Sequence, residues 1–329
     1  MLSLAKLTSL VALALALSAS EAQGQMVKQV VPDAQAASPR IAQPATILQP
    51  KCGTDASSSC VSLNGVKAIV SFGDSYTDCG NQRGGTCPNP VLPNGSTVPP
   101  ATGATADYQY GRRASNGRTW VEDLAQNIGA QLYNFASSGA TVDRNIIPAS
   151  RFDNDMASEY QKFQQAAIKT NPQTTMCTFF FGINDRGKAA SQDLLPKAVQ
   201  KELSYVDQLK GTCSQFVFLD IRGGVFSTAL QSGVANLAKQ GVKATYFTYQ
   251  SLFNDFVTNA SKYGFKKTDP CLENTSDGAH WKLVCTPDEA TNSLYYIGHH
   301  PTGKAHADMA AFLQSALTTC STGKCGASA

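Results

Sequence analysis

Three apolar runs of this chain stop at residues able to do chemistry: Ser75, Gly139 and Asn184. A fourth candidate, His300, stands before a proline near the C-terminus. A hydroxyl nucleophile needs an imidazole to take its proton. The tetrahedral oxyanion that follows needs hydrogen-bond donors aimed at it. The backbone N–H groups of Ser75 and Gly139, with the Asn184 amide, would supply three donors. These residue types point to acyl transfer. Each also has a plainer reading: a Ser or Asp after a strand caps the next helix, and Asn184 could do the same.

The elements that must carry these residues are legible as apolar runs. Val66 to Ser71 reads as a buried strand ending at Phe72-Gly73, with Asp74, Ser75, Tyr76 and Thr77 just beyond it. In open α/β sheets, ligands bind outside the carboxyl ends of the strands. Further strands are expected over 131–136, 174–181, 215–221 and 242–248, and the aromatic run Phe179–Phe181 reads as core. Helices are expected from Thr119, then over 155–170, 194–209, 226–240, 251–265 and 302–318. Leu252, Phe253, Phe256 and Val257 form the apolar stripe of the helix over 251–265, and 266–292 reads as a Cys-bearing loop. The alternation predicts a three-layer α/β/α sandwich with a mostly parallel five-stranded sheet. The Gly/Pro/Asn-rich stretch 79–105 reads as a long surface loop.

Composition excludes several classes. The net charge is +3 with no basic run longer than a pair, so nucleic acid is not an expected partner. No P-loop or G-x-G-x-x-G is present. No cofactor and no metal are expected: adjacent His299 and His300 diverge, and neither stands four residues from His306. His280 beside Trp281 reads as a packed loop residue. Tyr108, Tyr110 and Trp120 are candidates for a sugar or acyl site, though such aromatics usually belong to a core.

Residues 1–22 read as a secretory signal peptide, with Lys6 before an apolar run over 7–17 that is too short to span a bilayer. No later segment is long enough either. Residues 23–64 read as a linker with a Cys-clamped lead-in, 65–319 as the main domain, and 320–329 as a tail. Ten cysteines suit an oxidising compartment, and their order suggests Cys52–Cys60, Cys79–Cys87, Cys177–Cys213, Cys271–Cys285 and Cys320–Cys325. Asn94, Asn259 and Asn274 head glycosylation triplets. A secreted extracellular monomer is expected.

Four segments, FGDSYTDCGN, NFASSGAT, FFFGINDRG and HHPT, resemble in order the four blocks of the GDSL, or SGNH, hydrolase family. SNGRTWVEDLA resembles a segment of the longer plant and fungal members. The resemblance implies a flavodoxin-like fold and ester hydrolysis through an acyl-enzyme. By position it makes Ser75 the nucleophile, Ser75, Gly139 and Asn184 the oxyanion donors, and His300, rather than His299, the general base. It gives Asp74 and Asp78 a turn-shaping role. The implied substrates are small-molecule, lipid or polysaccharide esters, either lipid acyl esters or acetyl esters.

One position departs from the family. Its last block usually reads D-x-x-H-P, the Asp orienting the His, and here Ile297 stands in that place. An Ile side chain accepts no hydrogen bond, and losing the orienting Asp of a chymotrypsin-type triad costs about 10⁴ in turnover. A backbone carbonyl near Tyr296 could take over, Asp288 or Glu289 could reach in, or activity could be weak. The last case leaves a protein that binds carbohydrate or lipid surfaces. Transfer of the acyl group to an alcohol would use the same residues as hydrolysis.

Overall fold

The computed structural model describes residues 61–80, 113–149, 154–274 and 281–321, all within the second of the chain's two units, Gln43–Ala329. The proposed signal peptide, most of the linker, Cys52, Cys60, Cys87, Cys325, Asn94, Tyr108, Tyr110 and His280 lie outside the described residues.

Five strands form one sheet: β1 (Ala68–Gly73), β2 (Gln131–Asn134), β3 (Thr175–Phe180), β4 (Gln215–Asp220) and β5 (Ala244–Thr248). Their order is β2-β1-β3-β4-β5, and every neighbouring pair is parallel. Helices cover both faces, which is why β1, β3 and β4 are buried at every position and read as apolar runs without alternation. Alternate residues still divide between two cores. Ile69, Met176, Phe180, Val217 and Leu219 face one side, and Val70, Phe72, Phe179, Phe216 and Phe218 the other.

The first face is covered by α1 (Trp120–Ile128), α6 (Gln250–Thr258) and the terminal α8 (Gly303–Ser321), through Trp120, Leu124, Phe256, Met309 and Leu313. The second is covered by α2 (Met156–Ala166), α4 (Leu194–Leu209) and α5 (Gly224–Lys239), through Met156, Val199, Val206, Leu230 and Val234. A short α3 (Ile183–Lys188) follows β3 directly. The fold is a doubly wound α/β sandwich of flavodoxin-like strand order, in which the chain reverses direction beside β1. Ser75, Gly139 and Asn184 follow β1, β2 and β3, so three adjacent strands deliver them to one end of the sheet.

Two expectations need correction. The helix expected over 251–265 stops at Thr258 and continues as a tighter turn, Ala260–Tyr263, and Val257 is 55% exposed rather than part of the apolar stripe. The segment 266–292 is not a plain loop. It holds β6 (Leu272–Asn274), β7 (Trp281–Leu283) and α7 (Pro287–Asn292). With β8 (Tyr295–Ile297) and β9 (His300–Pro301) these strands make a second sheet, ordered β7-β6-β8-β9. Strands of two or three residues carry no periodicity that a sequence could display.

Cys271, just before β6, is disulfide-bonded to Cys285, just after β7, and Cys177 of β3 to Cys213, just before β4. Cys79 is also disulfide-bonded. Trp120 is fully buried against Phe180 and Tyr249, so it lines no substrate site. No helix among the described residues is long and apolar enough to cross a membrane.

Candidate active site

The turn that presents Ser75 begins with a glycine that must be one. A Cβ on Gly73 would sit 2.8 Å from the Phe180 carbonyl oxygen, closer than real Cβ atoms approach. Past it the backbone folds on Asp74, whose carbonyl accepts from the N–H groups of Thr77 (3.0 Å) and Asp78 (2.9 Å). The Asp74 carboxyl accepts from the Tyr76 N–H at 3.0 Å. Burial pushes Asp74 up to about 7, against the pull of that N–H. Asp74 thus shapes the turn and does not reach the reacting atoms.

Ser75 Oγ lies 2.7 Å from His300 Nε2, and His300 Nδ1 lies 2.9 Å from the Ile297 carbonyl oxygen. A carbonyl only accepts, so Nδ1 carries the ring proton of the neutral imidazole. Nε2 then presents its lone pair to the serine hydroxyl. This is the tautomer that a general base requires.

The partner of the imidazole is therefore the main chain of the residue whose side chain could not serve. The Ile297 side chain is buried beside Leu272 and Tyr296. Neither carboxylate offered as an orienting acid reaches the histidine. Asp288 pairs with Lys266 and accepts from Asn292 at 3.1 Å, while Glu289 accepts from the N–H of Thr286, the N-cap of α7, at 2.9 Å. Both are held below the ordinary carboxylate range by these partners.

Carboxylates gather instead behind the turns that carry Ser75, Gly139 and Asn184. Asp78 accepts from the Ser138 N–H at 2.8 Å and its hydroxyl at 2.7 Å, and from the Gly80 N–H at 2.8 Å. Asp78 therefore does more than shape its own turn: it ties the turn after β1 to the turn after β2. Glu159 of α2 accepts from the Gly73 N–H at 2.9 Å and the Ser137 N–H at 3.1 Å. Burial pushes its carboxyl well up. Between these anchors Gly139 takes φ +82°, a left-handed conformation that suits glycine.

Asn184 opens α3. Its amide donates to the Ala140 carbonyl at 2.9 Å, which fixes the side chain and leaves a second N–H free to face the site. The next residue, Asp185, accepts from the N–H groups of Val142 (3.0 Å) and Gly182 (3.2 Å), and burial raises it to about 6. Among the described residues, the Ser75 and Gly139 N–H groups donate to no protein acceptor.

Sequence reasoning did not find Glu159, Asp185 or Tyr76. Glu159 had a signal: it lies three residues after buried Met156 and four before Phe163, on the inner face of α2. His306 is fully buried and accepts from the Trp120 N–H at 3.2 Å. Burial lowers it to about 3, so it is neutral and structural. Among the described residues, no group of three or more His, Cys, Asp or Glu could hold a metal ion. Asn259 donates to Asp255 at 2.6 Å, and Asn274 ends β6.

Fold and site together define a doubly wound α/β chain with a serine–imidazole pair at its topological switch point. A family model described as GDSL-like Lipase/Acylhydrolase matches residues 69–313, and the chain belongs to that family. It is 23% identical over 274 residues to a thermolabile hemolysin of Vibrio parahaemolyticus, covering 73% of this chain and 61% of that protein. It is 34% identical over 85 residues to an acetylesterase of Thermothelomyces thermophilus, covering 25% of each. The chain thus spans about six-tenths of the first relative's length and a quarter of the second's. A family two carbohydrate esterase structure from Clostridium thermocellum superposes with a TM-score of 0.43 at 14% identity, covering 78% of this chain and 64% of that one. One from Cellvibrio japonicus gives 0.40 at 14% identity, covering 77% and 61%.

Proposed function

We propose that this chain hydrolyses carboxylic esters through an acyl-enzyme on Ser75, without metal or cofactor. His300 Nε2 takes the Ser75 proton as Oγ attacks the acyl carbon. The developing oxyanion receives the N–H groups of Ser75 and Gly139 and the free N–H of Asn184. His300 then gives its proton to the departing alcohol oxygen. Water repeats the sequence and frees the acid. What carries this reading is the 2.7 Å contact between Ser75 Oγ and a His300 ring whose other nitrogen is committed to a carbonyl.

The substrates are lipid acyl esters or acetyl esters of polysaccharide, and the acetylesterase among the relatives supports including the second class. Transfer to an alcohol in place of water would use the same groups. Residues 65–319 form the hydrolase domain of a secreted protein. The disulfides support an extracellular setting.

The test is hydrolysis of p-nitrophenyl acetate and longer acyl esters by the wild type beside Ser75→Ala. The expected outcome is a fall in kcat of at least about 10⁴-fold with the fold retained by circular dichroism. The chain-length profile then separates acetyl from long-chain preference. A folded wild type inactive on every ester, or an active Ser75→Ala, would overturn the proposal.

A further inference from the structure

The loop that carries His300 is tied to the turn that carries Ser75. Nδ1 of His300 leans on the Ile297 carbonyl, which belongs to the same four-residue turn, Ile297–His300. That brace moves with the loop, so a tie between the loop and the turn that carries Ser75 bears on their separation.

Tyr76 supplies one. Its hydroxyl donates to the His299 carbonyl at 2.5 Å, one residue before the base. Its ring packs 5.8 Å from the His300 ring, and also against Phe180 (5.7 Å) and His306 (6.3 Å). Its backbone is fixed as well, since its N–H donates to the Asp74 carboxyl. The residue directly after the nucleophile therefore holds the residue directly before the base.

We propose that Tyr76 is a positioning residue: its hydroxyl, donated to the His299 carbonyl, sets the separation between Ser75 Oγ and His300 Nε2. Burial keeps this phenol protonated, because its ionisation is pushed well above 10 with Tyr295 and Asp74 adding to the effect, so it remains a donor at any working pH. The hydroxyl touches no reacting atom. Its influence passes through one peptide unit to the imidazole, where misplacement by a fraction of an ångström is costly.

This inference rests on the esterase reading above, and the experiment separates the two. Tyr76→Phe keeps the ring and removes the tie. Assayed beside Ser75→Ala on p-nitrophenyl acetate, it should lose 10- to 100-fold in kcat with KM within about twofold. Replacing Tyr76 by 3-fluorotyrosine, which retains a hydroxyl, should restore kcat to within about threefold. Wild-type kcat in Tyr76→Phe while Ser75→Ala is dead overturns the tie and leaves the esterase reading intact. A change in KM alone also overturns it, because that marks a substrate contact. Activity surviving in Ser75→Ala overturns the esterase reading instead. Should Tyr76→Phe fail to fold, the wild type decides: a slowly exchanging, downfield Tyr76 hydroxyl proton in the NMR spectrum supports the tie, and a rapidly exchanging one overturns it.

Discussion

The two halves of the site are held by different chemistry. Ser75, Gly139 and Asn184 come from one parallel sheet, and buried carboxyl groups stitch their turns together. His300 comes from a four-stranded sheet of very short strands, held by main-chain carbonyls, a tyrosine hydroxyl and a disulfide. The carboxyl groups of Asp78, Glu159 and Asp185 stand behind the turns of the proposed oxyanion donors. The difference follows from what each half must order. Backbone N–H groups in a loop need an acceptor that can take several at once, and a carboxylate does that. A neutral imidazole with one N–H to place needs a single acceptor, and a carbonyl suffices.

The sharpest way to break this comparison is at Asp78. Asp78→Ala removes the acceptor shared by the Ser138 N–H and hydroxyl, so the Gly139 turn loses its anchor. We expect kcat on p-nitrophenyl acetate to fall about 10²-fold, the scale of one lost oxyanion donor, with KM little changed. Wild-type turnover would mean that the carboxylates are structural ornaments of the turns alone.

The disulfides sharpen it next. Replacing Cys271 and Cys285 together by Ser should cost about 3 kcal/mol in denaturant unfolding and also lower kcat about tenfold. Cys271 donates its N–H to the Tyr296 carbonyl, in the strand that carries Ile297. The same change at Cys177 and Cys213, which sit under α4, should cost similar stability but leave kcat within about twofold of wild type. Equal effects on kcat would erase the distinction between the two sheets. The smallest effect belongs to Asp288→Ala and Glu289→Ala, whose partners are Lys266 and Thr286. Each should retain kcat within about twofold, and a large loss in a folded variant would place an acid behind His300 after all.

The main sheet was legible because its strands are buried on both faces, so Ala68–Gly73 and Thr175–Phe180 stand out as apolar runs closed by Gly. The residues just past those runs were legible for the same reason. The second sheet was not, because strands of two or three residues, such as Leu272–Asn274 and Tyr295–Ile297, are too short to display a period. Glu159 was hidden by composition: α2 is mostly polar, and one more Glu reads as solvated surface until its N–H partners are seen. At Ile297 the side chain ruled out the usual acid and the sequence already pointed to a carbonyl near Tyr296; only which carbonyl was illegible, and it is that of Ile297 itself.

That carbonyl has a consequence for how this site can change over generations. An orienting aspartate is lost by a single codon change, and turnover is lost with it. A main-chain oxygen survives any substitution that leaves the Ile297–His300 turn in place. The side chain at position 297 is constrained by volume instead, since it fills space beside Leu272 and Tyr296. Val or Leu at position 297 is expected to leave the hydrogen bond on His300 Nδ1 in place.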